Sequence, residues 1–133
     1  MIIKYFIVAC LLFILLDAIW IGSNFNYYNN LAKKIQKEPI NTKIVAIFIT
    51  YIFLIISLYF CIRYIELEVK NKDYLKIFLF SSLFGVCVYG IYSYTTCVFL
   101  NNYSYYNAFI DTIWAVVLYS IPSLMYFYLK YNN

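Results

Sequence analysis

Residues 5–23 read YFIVACLLFILLDAIWIGS, a run in which Asp17 is the only charged side chain. A helix rises ~1.5 Å per residue, so about 20 apolar residues cross a hydrocarbon core of ~30 Å. This run is long enough, and three more follow: residues 44–62, 77–100 and 106–129. Lipid offers no partner to an unpaired N–H or C=O, so each run is predicted to be a helix. The expected fold is all-α: an integral membrane four-helix bundle within one domain, residues 1–133. An even number of crossings puts both termini on the same side.

Composition supports a membrane class. The 133 residues are 65% hydrophobic and 12% charged, against about a quarter charged in an ordinary soluble domain. A soluble fold of this size has too little interior for that much apolar surface, and a bilayer has room for it. The net charge of +4 is spread over short connections, without a basic face of interleaved aromatics, so nucleic acid is excluded as a partner. Histidine is absent, which removes the usual general base and the commonest metal ligand. Cys10, Cys61, Cys87 and Cys97 all lie in apolar runs with no Cys-x-x-Cys pair, and read as small apolar side chains. No metal site, cofactor or enzyme is expected. Abundant Ile, Asn, Lys and Tyr point to an AT-rich source.

The first run has a thin n-region and no small-residue cleavage site near Asp17 and Trp20, so it is expected to stay as a transmembrane helix. The connection 24–43 is polar; Leu31, Ala32 and Ile35 suggest a short interfacial helical turn stopped by Pro39. The connection 63–76 alternates signs through Glu66, Glu68, Lys70, Lys72 and Asp73, and is expected to extend a helix into water. The connection 101–105 is tight, so the last two helices should be antiparallel neighbours. Pro122 is expected to kink the last helix, with Ser120 and Ser123 satisfying the freed backbone. A modest excess of Lys and Arg on the side of the termini places them in the cytoplasm by the positive-inside rule.

The polar residues inside the runs are the candidate site. Asp17-Ala-Ile-Trp20 ends the first helix and Asp111-Thr-Ile-Trp114 begins the last. Topology places both carboxylates at one depth, about 8 Å in from the same face. A charged group costs ~2.5–3.5 kcal/mol at the centre of a spanning helix, so an intramembrane Asp is a functional candidate by default. No Lys, Arg or His lies in the runs to neutralise the pair, so the two carboxylates are expected either to share a proton or to hold a cation. The third run ends in the same layer with Tyr92, Ser93, Thr95 and Thr96. Ser82, Gly85, Tyr89, Tyr92 and Thr96 recur every three or four residues as one stripe. Small Ser82 and Gly85 suit close helix packing. Trp20 and Trp114, each at i+3 from an Asp, are expected to line the site. The remaining tyrosines, including Tyr27, Tyr28, Tyr103, Tyr105 and Tyr126, are expected in the interfacial aromatic belt.

At these residues the chain resembles a family of small four-helix membrane proteins, domain-of-unknown-function family 2177. The matching elements are Leu16-Asp17-Ala-Ile-Trp20-Ile-Gly22, then Phe84-Gly85 with Tyr89, Tyr92 and Thr95, then Asp111-Thr-Ile-Trp114. They span the chain from the first helix to the last. The resemblance implies the four-helix architecture and no established activity. Similar members carry Asp where Ser93 stands and Asn where Thr96 stands, a layer of three carboxylates. Two carboxylates and hydroxyls speak against a multivalent metal here.

Two function classes follow from the residues. In the first, the layer of Asp17, Asp111, Ser93, Thr96, Tyr92 and Tyr89 binds or passes a proton, small cation or polar solute, and a homo-oligomer supplies room for a pathway. In the second, the protein is a structural or assembly component of the membrane, and the Asp pair is an interhelical hydrogen-bond clasp. Without a nucleophile–base pair or a metal triad, catalysis by the two carboxylates is not expected.

Overall fold

The computed structural model describes residues 1–132, which form five helices: α1 (Ile3–Ser23), α2 (Phe25–Gln36), α3 (Ile44–Glu68), α4 (Tyr74–Phe99) and α5 (Tyr105–Asn132). The helices α1, α3, α4 and α5 are long and apolar enough to cross a bilayer. Their outer surface is what lipid requires. Ile3, Phe48, Leu75, Ile91 and Val98 are all more than 60% exposed, and such a display of large apolar side chains has no place in water.

Each boundary has a local cause. The Asn24 side chain donates to the Trp20 carbonyl at 2.9 Å, covering the end of α1. α2 stops at Lys37, which has a left-handed backbone (φ 65°) and returns its N–H to the Lys33 carbonyl; Pro39 follows two residues later. Asp73 caps α4, accepting the Lys76 N–H at 3.0 Å. At α5, the Ser104 hydroxyl oxygen accepts the Asn107 N–H at 3.3 Å. α5 runs on through Pro122. Ser123 does not satisfy the freed backbone; it is buried beside the Cys61 thiol.

α4 and α5 form the most extensive interface, as their tight connection predicts, and α1 packs on α5. The buried face of α4 is Ile77, Ser81, Gly85 and Ser93, at intervals of four or eight residues. Gly85 is the point of closest approach: an added Cβ would lie against the Ala115 carbonyl oxygen and 2.9 Å from the Tyr119 ring. Tyr119 is fully buried, packs edge-on against Phe13 with ring centroids 5.2 Å apart, and pairs its hydroxyl with Ser57. α3 joins this core chiefly through its second half, with Leu58, Cys61, Ile62 and Ile65 buried and Leu54 packed against them. Its first half has no buried residue. The bundle is therefore closed at the end where α3 finishes and looser at the end where α3 begins.

Two segments differ from the sequence reading. The connection after α1 is not one interfacial turn but the twelve-residue amphipathic helix α2. α3 continues past residue 62 to Glu68, the helical extension expected there, but Glu66 does not stand in water. Its side chain is 4% exposed, with the Arg63 and Lys130 cations at 2.8 and 2.9 Å and the Met1 amino group at 3.3 Å. The Tyr126 hydroxyl also donates to it. This cluster fastens α1, α3 and α5 at the closed end.

Candidate functional site

The looser end carries both Asp-x-x-Trp motifs. They meet through their tryptophans, not their carboxylates. The Trp20 and Trp114 rings stack with centroids 4.6 Å apart and planes 8° from parallel. Aromatic pairs of this kind add ~0.5–1.5 kcal/mol beyond the area they bury, so the stack is a lateral fastening between α1 and α5.

Each carboxylate then has its own partners. Asp17 on α1 is 5% exposed and accepts the Tyr89 hydroxyl of α4 at 3.3 Å. Tyr51 of α3 brings its hydroxyl toward the same carboxylate. Asp111 on α5 accepts two tyrosine hydroxyls, Tyr28 of α2 on Oδ1 and Tyr103 of the α4–α5 connection on Oδ2, both at 2.7 Å. The two carboxylates, expected to share a proton or hold a cation between them, each take separate tyrosine donors. One of these donors, Tyr28, comes from α2, a segment that the sequence reading had left at the interface.

The network around Asp111 continues outward. Tyr28 accepts the Trp20 indole N–H at 3.1 Å, so one hydroxyl links both motifs. Tyr27 donates to Asn107 Oδ1, and Asn102 donates to the Lys34 carbonyl at 3.2 Å, tying α2 to the start of α5. Tyr28 and Tyr103 lie outside the spanning helices, and burial followed by the adjacent Asp111 carboxylate pushes both phenols well above their ordinary value. Both are therefore neutral donors. Between α1, α2 and α5 lies a cavity of about 240 Å³. Asp111, Trp20, Tyr27, Tyr28 and Tyr106 provide its charge and aromatic walls; Asn24, Asn107 and Ile110 complete it.

The other expected residues separate into three groups. Tyr89 and Ser93 face the bundle; Ser93 is buried within reach of the Tyr103 hydroxyl but outside hydrogen-bond geometry. Tyr92 is 65% exposed, and Thr96 spends its hydroxyl on the Tyr92 carbonyl at 2.8 Å. These two belong to a shallow groove on the outer face of α4, away from the carboxylates. Gly85 lies at the α4–α5 contact, whereas Ser82 is half-buried one position off the stripe Ile77–Ser81–Gly85. The reason is periodicity: spacings of three and of four drift apart along a helix, and the buried line follows the fours.

Sequence reasoning missed Tyr28, Tyr103, Tyr27 and Asn107. A signal existed. Asp17, Trp20, Asn24 and Tyr28 are spaced three, four and four, one helix face carried across Ser23. Asn107, Asp111 and Trp114 are spaced four and three. Ending the first helix at Ser23 hid the former.

Residues 2–128 match the family model described as predicted membrane protein, DUF2177, and the chain belongs to that family. No curated protein and no solved structure matches it.

Proposed function

We propose that this member of the family is a multi-pass membrane protein that binds a small cation or polar solute in the cavity over Asp111, with the two aspartates in different roles. The observation that carries the reading is one carboxylate opening on a cavity walled by Trp20, Tyr27, Tyr28 and Tyr106. A concave site with a few convergent polar groups among aromatic walls is the ordinary form of a small-molecule site. Asp111 is half-exposed there, whereas Asp17 is sealed in the bundle. Asp17 then acts as the interhelical clasp, its Tyr89 bond joining α1 to α4. The structural reading thus keeps one aspartate and the binding reading the other.

The test uses intrinsic tryptophan fluorescence of the purified full chain, because Trp20 lines the cavity. Sodium, potassium, small organic cations and small neutral polyols are titrated in turn. At least one should give a saturable change that Asp111→Asn abolishes and Asp17→Asn preserves. Asp17→Ala, which removes the clasp, should cost about 0.6–2 kcal/mol of stability in detergent. No saturable response to any solute, or equal loss in both Asn variants, refutes the division.

A further inference from the structure

We infer that the cavity over Asp111 takes an organic ammonium ion, one whose charge is carried on alkylated nitrogen, in preference to a bare inorganic cation. This rests on the reading of that cavity as a binding site and names its ligand class.

Most of the cavity's oxygens already accept a hydrogen bond. Asp111 already receives a tyrosine hydroxyl on each carboxylate oxygen. The Asn107 side-chain oxygen receives Tyr27. The Asn24 amide nitrogen is turned to the Trp20 carbonyl, which leaves Asn24 Oδ1 as the cavity's side-chain amide oxygen without a donor. A bare divalent ion needs a shell of about six or more oxygens in compensation for its lost water, and the cavity offers it a single, already hydrogen-bonded carboxylate with scattered hydroxyl and amide oxygens. Among the described residues no three of His, Cys, Asp and Glu stand together as ligands. An alkylated ammonium makes no such demand. Its charge is spread over C–H groups, which are attracted to aromatic faces and to a carboxylate without needing free lone pairs.

The walls supply those faces. Trp20 is fixed by stacking on Trp114 and by the bond from its indole N–H to Tyr28, so its ring is held in place before any ligand arrives. Tyr28 and Tyr27 are fixed by Asp111 and Asn107. Tyr106 makes no side-chain hydrogen bond among the described residues and offers its ring without a competing partner. One wall-lining carboxylate matches one positive charge. A volume of about 240 Å³ is below the ~300–1,000 Å³ of drug-sized sites, which sets the ligand at a few heavy atoms.

The experiment compares three probes on the full chain in detergent or nanodiscs: choline, its uncharged isostere 3,3-dimethyl-1-butanol, and sodium at matched ionic strength. Choline should give a saturable tryptophan signal at about a tenfold lower concentration than the isostere, and sodium none in that range. Asp111→Asn should erase the preference for choline over the isostere. Tyr106→Leu should weaken choline roughly twofold to fivefold, and Tyr106→Phe, which keeps the ring, should not. Because Tyr106 is 70% exposed, neither substitution disturbs the core. A saturable response to sodium or to the isostere with none to choline overturns the ligand class and leaves the binding reading standing. So does choline binding that Tyr106→Leu leaves unchanged. No saturable response to any of the three, nor to the wider solute panel, overturns both.

Discussion

Gly85→Ala inserts one methyl group where α4 and α5 touch. The new Cβ would meet the Ala115 carbonyl oxygen, 3.0 Å from the Ala115 carbonyl carbon and 2.9 Å from Tyr119 Cδ2. Favourable carbon contacts lie at about 3.5–4.0 Å. A side chain could swing aside, but a helix backbone can only move as a unit, so α5 must shift. Overpacking of this kind costs about 1–3 kcal/mol. Against it stands a gain of about 1 kcal/mol, because Ala is the better helix former. Gly90→Ala isolates the gain. Its Cβ would stand 3.9 Å from Thr112 Cγ2, an ordinary contact. The propensity term cancels between the variants, so Gly85→Ala should be less stable than Gly90→Ala by about 1–3 kcal/mol. Denaturation of the detergent-purified protein, followed by far-ultraviolet circular dichroism, measures the difference. Tyr89 is one turn from Gly85 on the same helix, so the displaced interface should also loosen the Tyr89–Asp17 bond. If Gly85→Ala is as stable as Gly90→Ala, the α4–α5 interface is not the tight contact described above.

Glu66→Gln removes the one anion that pairs with Arg63, Lys130 and the Met1 amino group among the described residues. Because those cations are partly exposed, the loss should be about 1–3 kcal/mol in the same assay, below the figure for a fully buried pair; unchanged stability would reduce the cluster to ordinary surface pairing. The raised phenols of Tyr28 and Tyr103 predict a pH dependence of opposite sense to acid denaturation. Their neutral forms contribute stability that is complete below the ordinary tyrosine value of 10.0 and is lost as pH climbs through the higher folded values. Tyrosinate absorbance should show both titrating late, and the double Phe variant should flatten the fall of stability above that pH.

The four spanning helices were legible because their cause is local: a long apolar run in lipid has one way to satisfy its backbone. Counting residues in from a helix end also gave Asp17 and Asp111 one depth, but Trp20 stacks on Trp114 across antiparallel helices, which puts the two aspartates on opposite sides of the ring pair. What counting could not supply was azimuth. Tyr92 and Tyr89 differ by three residues on one helix, yet one faces lipid and the other Asp17. That choice is made by Gly85, whose close contact with α5 sets the rotation of α4. The role of Tyr28 was hidden differently. Its segment is polar and reads as a connection, and only its docking on α5 turns an interfacial tyrosine into a partner of Asp111. Glu66 was hidden by its charged neighbours, which gave the segment the pattern of a solvated helix face.

The two ends of the bundle therefore differ in kind. At the closed end, Glu66 gathers cations from α3 and α5, and the buried half of α3 completes the core, so that end is cross-linked and filled. At the other end α3 contributes no buried residue before Leu58, and α2, which has no buried residue of its own, is held there by hydrogen bonds from Tyr27, Tyr28 and Asn102. Elements with few buried apolar contacts are the ones that open at low free energy. On the proposed reading, a ligand in the cavity beneath α2 would exchange with the membrane surface without unpacking the bundle. Asp17, buried and bonded to Tyr89, holds α1 to α4 independently of α2. A protein that needed its aspartates only as clasps would gain nothing from placing one of them under the loosest helix it has.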